Sequence, residues 1–315
     1  MGKQNLKIKE EKDSGFSTIV SGRFTNKDGR YNVKRKGVNI LNRYSWYHTF
    51  LLLPRFKFIG VLVIAYIIAN LIFASIYYAI GIEHLTGIDK SSPVQEFVDV
   101  FFFSAQTFTT VGYGRIAPVG ALASFVATFE AFLGLLGFAI ATGLFYGRFS
   151  RPRAFLKFSS IALIVPFKGG TALMFRMAPF KNNLLTDAQI ILTCAIEDQT
   201  EEGNSKSKFF TLDTQLNTIN SLSLNWTVVH VIDENSPFFD LGEDHFSEMD
   251  IEIFAQVRAF DEVFSNTVVQ RTSYASIENE IVFGEKFNMM YAPSKDQKTT
   301  VLNLGLIDSY IPKKR

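Results

Sequence analysis

The sequence predicts a multi-domain α and β membrane protein, in which two bilayer-spanning helices with a re-entrant helix between them precede a β-sandwich. Three observations predict this class: two long apolar runs bracket a shorter one, basic residues flank the long runs, and short alternating segments fill the chain beyond Pro152. The 315 residues suffice for about two domains. Because 47% of them are hydrophobic and 20% are charged, the apolar residues must be concentrated in part of the chain.

The two long apolar runs each exceed the length of about 20 residues that a helix needs to cross a bilayer. Residues 56–80 are interrupted only by Lys57, at the edge, and by Asn70. Residues 119–147 carry Glu130 as their sole formal charge. Both runs are therefore predicted to span the membrane.

A shorter apolar run lies between the spans. Residues 94–108 number only about 15, too few to cross a bilayer. Non-helical backbone at membrane depth is tolerated only where protein or a water-filled cavity surrounds it. We therefore predict a re-entrant helix over residues 95–108, inside a membrane domain that covers residues 55–150.

Basic residues flank the spans, and retention of Lys and Arg on the cytoplasmic side sets the orientation of a membrane protein. The connection between the spans offers only Lys90 and Arg115. The flanks hold Lys34, Arg35, Lys36, Arg43, Arg55, Arg148, Arg151, Arg153 and Lys157. Both termini are therefore predicted to be cytoplasmic. Residues 1–41 are expected to be a cytoplasmic segment and not a secretory signal, because they contain no apolar core.

Residues 42–54, directly before the first span, mix aromatic, polar and aliphatic side chains. This composition predicts an interfacial helix that lies along the cytoplasmic leaflet. An ordinary juxtamembrane linker is the alternative interpretation.

Beyond Pro152 the chain consists of short segments rich in β-branched and aromatic residues. Seven predicted strands separated by turn residues are typical of a β-sandwich, which we expect over residues 151–315. The strands are predicted at residues 158–166, 171–178, 188–196, 208–212, 225–232, 250–257 and 266–273. Cys194 is the only cysteine, which excludes an intramolecular disulfide and a cysteine metal cluster and indicates a reduced, intracellular domain.

The sequence TTVGYG, residues 109–114, follows the re-entrant helix. A pore that conducts potassium must replace the hydration shell of the ion with oxygen ligands, and rings of backbone carbonyls do so where four loops meet on one axis. Gly112 and Gly114 let the backbone approach that axis closely. We therefore predict a selectivity filter made of Thr109, Thr110, Val111, Gly112, Tyr113 and Gly114. A glycine turn in an unrelated membrane hairpin is the alternative.

Potassium ions are the only cofactor expected, and no organic cofactor is indicated. They would be bound by the backbone carbonyls of Thr110, Val111, Gly112 and Tyr113. Because each chain supplies one filter loop, four chains are needed, and a homotetramer is predicted.

Four segments resemble those of the prokaryotic inward-rectifier potassium channels. They are FFFSAQTFTTVGYG at residues 101–114, GLFYGRFSRPRA at 143–154, TALMFRMA at 171–178 and LNWTVVHVIDENSPFF at 224–239. The resemblance extends over residues 44–310. It implies an interfacial slide helix, a two-span potassium-channel pore domain, a cytoplasmic vestibule of four immunoglobulin-like β-sandwiches that regulates the pore, and a place in the bacterial inner membrane.

The second span carries the predicted gate and cavity residues Gly134, Phe138, Gly143 and Tyr146. Phe138 and Tyr146 are eight residues apart, close to two helical turns, so they share a face. Four copies of each would make constrictions that close by dewetting. The resemblance implies that Tyr146 lies at the helix-bundle crossing and that Gly134 is a bending point. Close helix packing is the alternative role of the glycines.

Gln106 and Glu130 are predicted to support the filter from behind. Direct ion binding is the alternative for Glu130, because an intramembrane carboxylate is a functional candidate by default. A separate set of basic residues is predicted to bind anionic lipid headgroups, each contributing about 1 kcal/mol, or else only to fix the topology. The set comprises Arg55, Lys57, Arg148, Arg151, Arg153 and Lys157.

Two other function classes fit the sequence less well. A channel gated by a nucleotide or calcium through a Rossmann-type domain would need a Gly-x-Gly-x-x-Gly after a strand, and the C-terminal half has none. A membrane-anchored enzyme would have to use His230, His245, Asp233 and Asp244, whose spacing matches no metal or triad pattern. The net charge of +2 gives no reason to expect a nucleic-acid partner, and the sequence names no ligand for the cytoplasmic domain.

Overall fold

The structure is a computed structural model, and it describes residues 22–34, 36–37, 39, 45–199, 205–294 and 298–313. The chain forms two compact units. The helical unit lies within Lys36–Arg151, and the β unit joins residues of Met1–Arg35 to residues of Pro152–Arg315. Some predictions concern positions outside the described residues. These are residues 1–21, 35, 38 and 40–41 of the predicted cytoplasmic segment, and residues 42–44, which include Arg43, of the predicted interfacial helix.

Four helices build the helical unit. In chain order they are α1 (Trp46–Leu52), α2 (Arg55–Ile80), α3 (Pro93–Phe108) and α4 (Ala121–Phe149). Helices α2 and α4, with 26 and 29 residues, are long and apolar enough to cross a membrane. Helix α3 has 16 residues and is too short to do so.

Helix α3 is fixed at both ends by its flanking sequence. Ser92 caps its N-terminus by accepting a hydrogen bond from the backbone N–H of Gln95 at 3.2 Å. Pro93 occupies the first turn, where a missing N–H has no helical partner to lose. Strand β1 (Leu85–Thr86) pairs antiparallel with β2 (Ala117–Pro118), which ties together the connections before and after α3.

The core of the helical unit lies where α2, α3 and α4 meet. The buried apolar side chains there include Phe73, Tyr77, Val100 and Phe103. Elsewhere the two long helices are largely uncovered, since only 17% of each spanning window is buried. An apolar exterior of this extent suits lipid or other copies of the chain.

The β unit is a sandwich of two sheets, which confirms the predicted fold class. Its strands are β3 (Leu156–Phe158), β4 (Ala162–Phe167), β5 (Gly170–Pro179), β6 (Leu185–Gln199), β7 (Ser205–Thr211), β8 (Thr218–Ser221), β9 (Trp226–Ile232), β10 (Ile251–Asp261), β11 (Asn266–Ala275), β12 (Ile281–Phe287), β13 (Tyr291–Pro293), β14 (Thr300–Leu302) and β15 (Tyr310–Pro312), with helix α5 (Glu243–Glu248) before β10.

The two sheets pack around one apolar core. One sheet has the strand order β11-β10-β6-β7 with β8 also on β6, and the other has β15-β12-β4-β5-β3 with β9 also on β5. The core between the sheets includes Phe175, Met177, Ile196, Trp226 and Tyr274.

The structure differs from the predicted strands in two respects. The strand predicted at residues 158–166 is divided into β3 and β4, because Ser159 turns the chain by donating its hydroxyl to the carbonyl of Ile161 at 2.8 Å. Strands β1, β2, β8 and β12 to β15 have no counterpart among the predicted strands. In β12 the short or charged residues Gly284 and Lys286 interrupt the alternation that marks a strand in sequence.

Residues 22–34, here called the N-terminal strap, pack on the β unit. The carboxylate of Glu252 accepts the backbone N–H groups of Phe24 at 2.7 Å and Thr25 at 2.9 Å. The hydroxyl of Thr272 donates to a strap carbonyl at 3.1 Å. The strap therefore belongs structurally to a domain that begins more than a hundred residues later in the chain.

Candidate functional site

The predicted filter residues form a loop directly after α3. The backbone φ angle is +59° at Thr110, +53° at Gly112 and +80° at Gly114, and it is not positive at Val111 or Tyr113. A backbone that alternates in this way turns successive peptide groups toward one side. A row of carbonyl ligands requires that arrangement.

The end of α3 holds the beginning of this loop. The backbone N–H of Val111 donates to the carbonyl of Gln106 at 2.9 Å, and the backbone N–H of Thr110 donates to the carbonyl of Thr107 at 3.0 Å. The structure thus places Gln106 beside the filter, where the contact is made by its backbone. The carbonyl end of α3, with its partial negative charge, is directed to the base of the loop.

Glu130 is fully buried among three helices. The hydroxyl of Ser104 on α3 donates to Glu130 Oε1 at 2.5 Å, and the hydroxyl of Tyr77 on α2 donates to Oε2 at 2.7 Å. The Oδ1 atom of Asn70 lies 3.1 Å from Ser104 Oγ. The Glu130 carboxyl group therefore joins α2, α3 and α4, which favours the structural role over direct ion binding.

Asp99 anchors the opposite end of the filter loop. Arg115 directly follows the loop, and its Nη2 donates to Asp99 Oδ2 at 2.8 Å. The backbone N–H of Asp89 donates to the same oxygen at 3.0 Å. The side chain of Asp99 is 7% exposed and that of Arg115 is 66% exposed, so a largely buried carboxylate holds a solvent-facing arginine.

Sequence reasoning missed Asp99, Ser104 and Tyr77. Asp99 carries a signal that could have identified it, because a carboxylate within an apolar re-entrant run needs a partner. Ser104 and Tyr77 carry none, because their partner Glu130 is 26 and 53 residues away in the chain.

A mostly apolar hollow of about 610 Å³ lies beside the base of the filter loop. Its lining brings together four predicted residues, namely Thr109, Thr110, Gly134 and Phe138. Farther along α4, Tyr146 is 75% exposed and Phe138 is 72% exposed, so both aromatic side chains project from the helix.

Three of the four glycines of α4 have different surroundings. A Cβ atom added to Gly134 would come within 1.8 Å of the carbonyl oxygen of Phe108, the last residue of α3. A Cβ atom on Gly137 would lie 3.6 Å from the Phe108 ring, and one on Gly143 would meet nothing within 4 Å. Gly134 therefore packs against the end of α3, and bending at Gly134 stays a prediction.

Four of the six predicted lipid-binding residues belong to the helical unit. The ring of Phe58 packs edge-on against Phe145 with centroids 5.1 Å apart, which brings the start of α2 to the end of α4. The Arg148 guanidinium lies 5.1 Å from the Phe58 ring centroid. Its Nη1 is buried without a hydrogen-bond partner among the described residues. Arg55, Lys57 and Arg148 are thus grouped at one end of the unit, and Arg151 follows α4.

The other two predicted lipid-binding residues, Arg153 and Lys157, belong to the β unit. Arg153 is exposed. The ammonium group of Lys157 donates to the carbonyl of Leu304 at 3.0 Å. Lys157 therefore has a partner within its own unit.

Helix α1 packs against the end of α4. The Tyr47 hydroxyl lies 2.9 Å from the position of a Cβ atom on Gly147, and Leu51 is buried. Trp46 and Leu52 are exposed, at 71% and 60%. Such an exposed apolar surface on a helix with one buried side supports the predicted interfacial location.

Of the four residues that an enzyme would have to use, His230, His245 and Asp233 hold loops and turns in place. Nδ1 of His230 lies 2.6 Å from the Asp213 carbonyl oxygen, which can only accept, so the proton is on Nδ1. Its Nε2 lies 2.8 Å from Ser236 Oγ. Burial lowers the pKa of His230 below its ordinary value. His245 Nδ1 accepts the Gly242 backbone N–H at 3.0 Å and caps α5, Asp233 closes a turn, and Asp244 is exposed.

Two family descriptions match the chain: "Ion channel" over residues 58–151 and "Inward rectifier potassium channel C-terminal domain" over residues 156–306. The chain is 33% identical over 287 residues to the inward rectifier potassium channel Kirbac3.1 of Paramagnetospirillum magnetotacticum, covering 90% of this chain and 94% of that protein. The chain belongs to the inward-rectifier potassium channel family. It is therefore a subunit of a membrane potassium channel and not an enzyme, as the resemblance of its motifs implied.

This inward-rectifier channel is also 27% identical over 291 residues to the G protein-activated inward rectifier potassium channel 2 of Pongo abelii, covering 84% of this chain and 67% of that protein. Among solved structures, the Pseudomonas fluorescens alkylpurine DNA glycosylase AlkC bound to DNA matches 59% of this chain and 48% of its own, with 12% identity. The TM-score of that match is 0.18.

Proposed function

We propose that four copies of this inward-rectifier channel form a potassium-selective pore in the bacterial inner membrane, with both termini cytoplasmic. In this proposal potassium ions are bound by the backbone carbonyls of Thr110, Val111, Gly112 and Tyr113. The observation that carries it is the alternating backbone of the loop, with positive φ at residues 110, 112 and 114, directly after a helix too short to cross. Four such loops around one axis would replace the hydration shell of the ion.

The exposed filter side chains support the tetramer. Tyr113 is 79% exposed and Val111 is 53% exposed in the single chain, although large apolar side chains of a membrane pore need cover. One chain supplies a single wall of the filter. Three further copies would surround the ions and cover these side chains, in the closed symmetry that most homo-oligomers adopt.

The gate proposed here is the narrow part of the bundle that the α4 helices of four chains would form around the pore. Four Phe138 and four Tyr146 side chains would form two apolar rings below the filter, and rings of this kind close by expelling water. Gly143 supports this location, because its surroundings leave α4 unhindered at that point. Movement of the bundle is assigned to the cytoplasmic β unit and to lipids.

Anionic lipid headgroups are the proposed ligands of the basic residues at the cytoplasmic end of the pore domain. The half-buried Arg148 supports this, since its Nη1 donor has no acceptor among the described residues and a phosphate oxygen would supply one. Arg55, Lys57 and Arg151 would add about 1 kcal/mol each near a charged surface. Arg153 and Lys157 are included in the same proposal.

Potassium flux into liposomes tests the proposed function. Purified tetramer should take up potassium along its gradient and should be blocked by barium. Gly112→Ala should abolish the flux, because alanine is strained at φ +53°. The matched control is Gly169→Ala in a turn of the β unit, where φ is +85° and the added Cβ likewise meets nothing within 4 Å. Equal flux from both variants, or equal uptake of sodium and potassium by the unmodified protein, would refute the proposal.

A further inference from the structure

The contact between α4 and the end of α3 is closer than any side chain allows. A Cβ atom on Gly134 would lie 1.8 Å from the Phe108 carbonyl oxygen, 2.7 Å from its carbonyl carbon and 3.1 Å from its Cα. All three atoms are backbone, so a side-chain rotation cannot relieve the clash. Phe108 would have to move by about 1 Å before an alanine fitted at this position.

Phe108 is held on two further sides. A Cβ atom on Gly137, one turn after Gly134, would lie 3.6 Å from the Phe108 ring, so the backbone of α4 runs close to the ring as well. Tyr66 of α2 packs edge-on against the same ring with centroids 5.9 Å apart. One turn earlier, Glu130 is bonded to Ser104. Helix α4 thus meets α3 along a seam of Glu130, Gly134 and Gly137.

The position of Phe108 matters because the filter begins with the next residue. Thr109 closes the last turn of α3 through a hydrogen bond from its backbone N–H to the Ala105 carbonyl at 3.2 Å. Thr110, the first residue of the alternating backbone, is bonded to the carbonyl of Thr107 at 3.0 Å. A shift of Phe108 would therefore move the innermost carbonyl ligands.

We propose that Gly134 is a positioning residue for ion selectivity, because its missing side chain lets α4 fix the Phe108 carbonyl and thereby the first carbonyls of the filter. The assignment rests on the proposed role of residues 109–114 as the potassium filter. It differs from a bending role, which would change how often the pore opens and leave its discrimination between ions unaltered. In binding sites of fixed geometry, a misplacement of about 1 Å lowers performance by up to about a hundredfold.

Reversal potentials under bi-ionic potassium and sodium conditions test this assignment in planar bilayers. Gly134→Ala is compared with Gly143→Ala, which makes the same chemical change in the same helix at a position where the added Cβ meets nothing within 4 Å. Both changes raise the intrinsic helix propensity equally, so any effect common to both reflects helix stiffness. We expect Gly134→Ala to raise the sodium-to-potassium permeability ratio roughly tenfold. We expect Gly143→Ala to keep the ratio of the unmodified channel and to alter only its open probability.

The outcomes separate this inference from the proposed function. If the unmodified channel does not discriminate between the ions, the proposed function fails. If it does and Gly134→Ala keeps the same permeability ratio, the filter stands and the positioning role is refuted. Should the tetramer of Gly134→Ala not assemble, tetramers in which unmodified subunits are mixed with a minority of Gly134→Ala subunits decide, because the added Cβ meets the same Phe108 carbonyl in each altered subunit. A raised permeability ratio in the mixed tetramers supports the proposal, and an unchanged ratio overturns it.

Discussion

The helical unit and the β unit both bury polar side chains, but the first exposes its apolar surface and the second encloses it between two sheets. In the helical unit the long helices expose apolar surface, and the buried Glu130 pairs with the hydroxyls of Ser104 and Tyr77. In the β unit the apolar side chains lie between two sheets, and the buried Glu252 holds backbone N–H groups of the N-terminal strap. Lipid offers no hydrogen bonds, so the polar groups of the first unit must satisfy each other.

The difference between the two units indicates that stability and ion conduction depend on the same contacts in the helical unit but not in the β unit. In the helical unit, Asp99 holds Arg115 at the end of the filter loop, and Glu130 holds α3, the helix that carries the loop. Breaking either contact should therefore disturb both the fold and the ion selectivity. In the β unit, the polar contacts of Glu252 and His230 fix the strap and surface loops. Breaking those contacts should alter stability and leave the ion preference of the filter unchanged.

Replacing Glu130 by alanine should have the largest effect. The Tyr77 hydroxyl would lose its acceptor, and the Ser104 hydroxyl would keep only Asn70, whose Oδ1 lies at 3.1 Å. A buried donor without a partner costs about 1–3 kcal/mol, and the cavity left by the deleted side chain adds to that cost. We expect the free energy of unfolding to fall by roughly 2–5 kcal/mol, together with a loss of potassium selectivity. Chemical denaturation and bi-ionic reversal potentials measure the two effects. The control Glu248→Ala removes an exposed carboxylate and should change stability by less than about 0.5 kcal/mol.

Replacing Glu252 by alanine should release the N-terminal strap. The backbone N–H groups of Phe24 and Thr25 would lose their charged acceptor, which costs about 1.5–3 kcal/mol. Hydrogen exchange of strap amides should become faster in this variant, with the potassium-to-sodium permeability ratio unchanged. A change in that ratio would break the distinction between the two units.

The ion pair of Asp99 and Arg115 should contribute less, because the arginine side chain is 66% exposed and water weakens its attraction. A double-mutant cycle with Asp99→Asn and Arg115→Ala should give a coupling energy of about 1 kcal/mol in tetramer stability. The coupling should shrink in high salt, because screening acts on exposed charges. A coupling energy near zero in low salt would remove this pair as an anchor of the filter.

The smallest expected effect is a pH dependence that originates in the β unit. Burial lowers the pKa of His230 in the folded protein, whereas the unfolded chain titrates near pH 6.5. Between that pH and the lowered pKa the unfolded state binds more protons, so stability falls as the pH decreases, by at most about 1.4 kcal/mol per pH unit. Thermal unfolding of the channel between pH 7 and pH 5 should show this slope. The variant His230→Gln should flatten it, and a slope that persists in the variant would assign it to another group.

The sequence predicts what depends on composition over many residues. The spans and the re-entrant helix follow from long runs with few polar residues, and the β-sandwich follows from repeated alternation. Single residues limit the prediction. Ser159 divides one predicted strand into two, and Gly284 interrupts the alternation by which β12 could have been recognised. Contacts between distant positions are invisible in such patterns, since the strap meets Glu252 across 228 and 227 residues. The Gly134 contact with Phe108 depends on an interhelical distance that no sequence pattern encodes.

The most direct measurement of the central claim is anomalous diffraction from crystals of the tetramer grown with thallium or rubidium in place of potassium. We predict a row of anomalous peaks on a fourfold axis, each surrounded by backbone carbonyl oxygens of residues 110–113 from four chains. Peaks away from that axis, or ions held by side chains elsewhere in the membrane domain, would contradict the account.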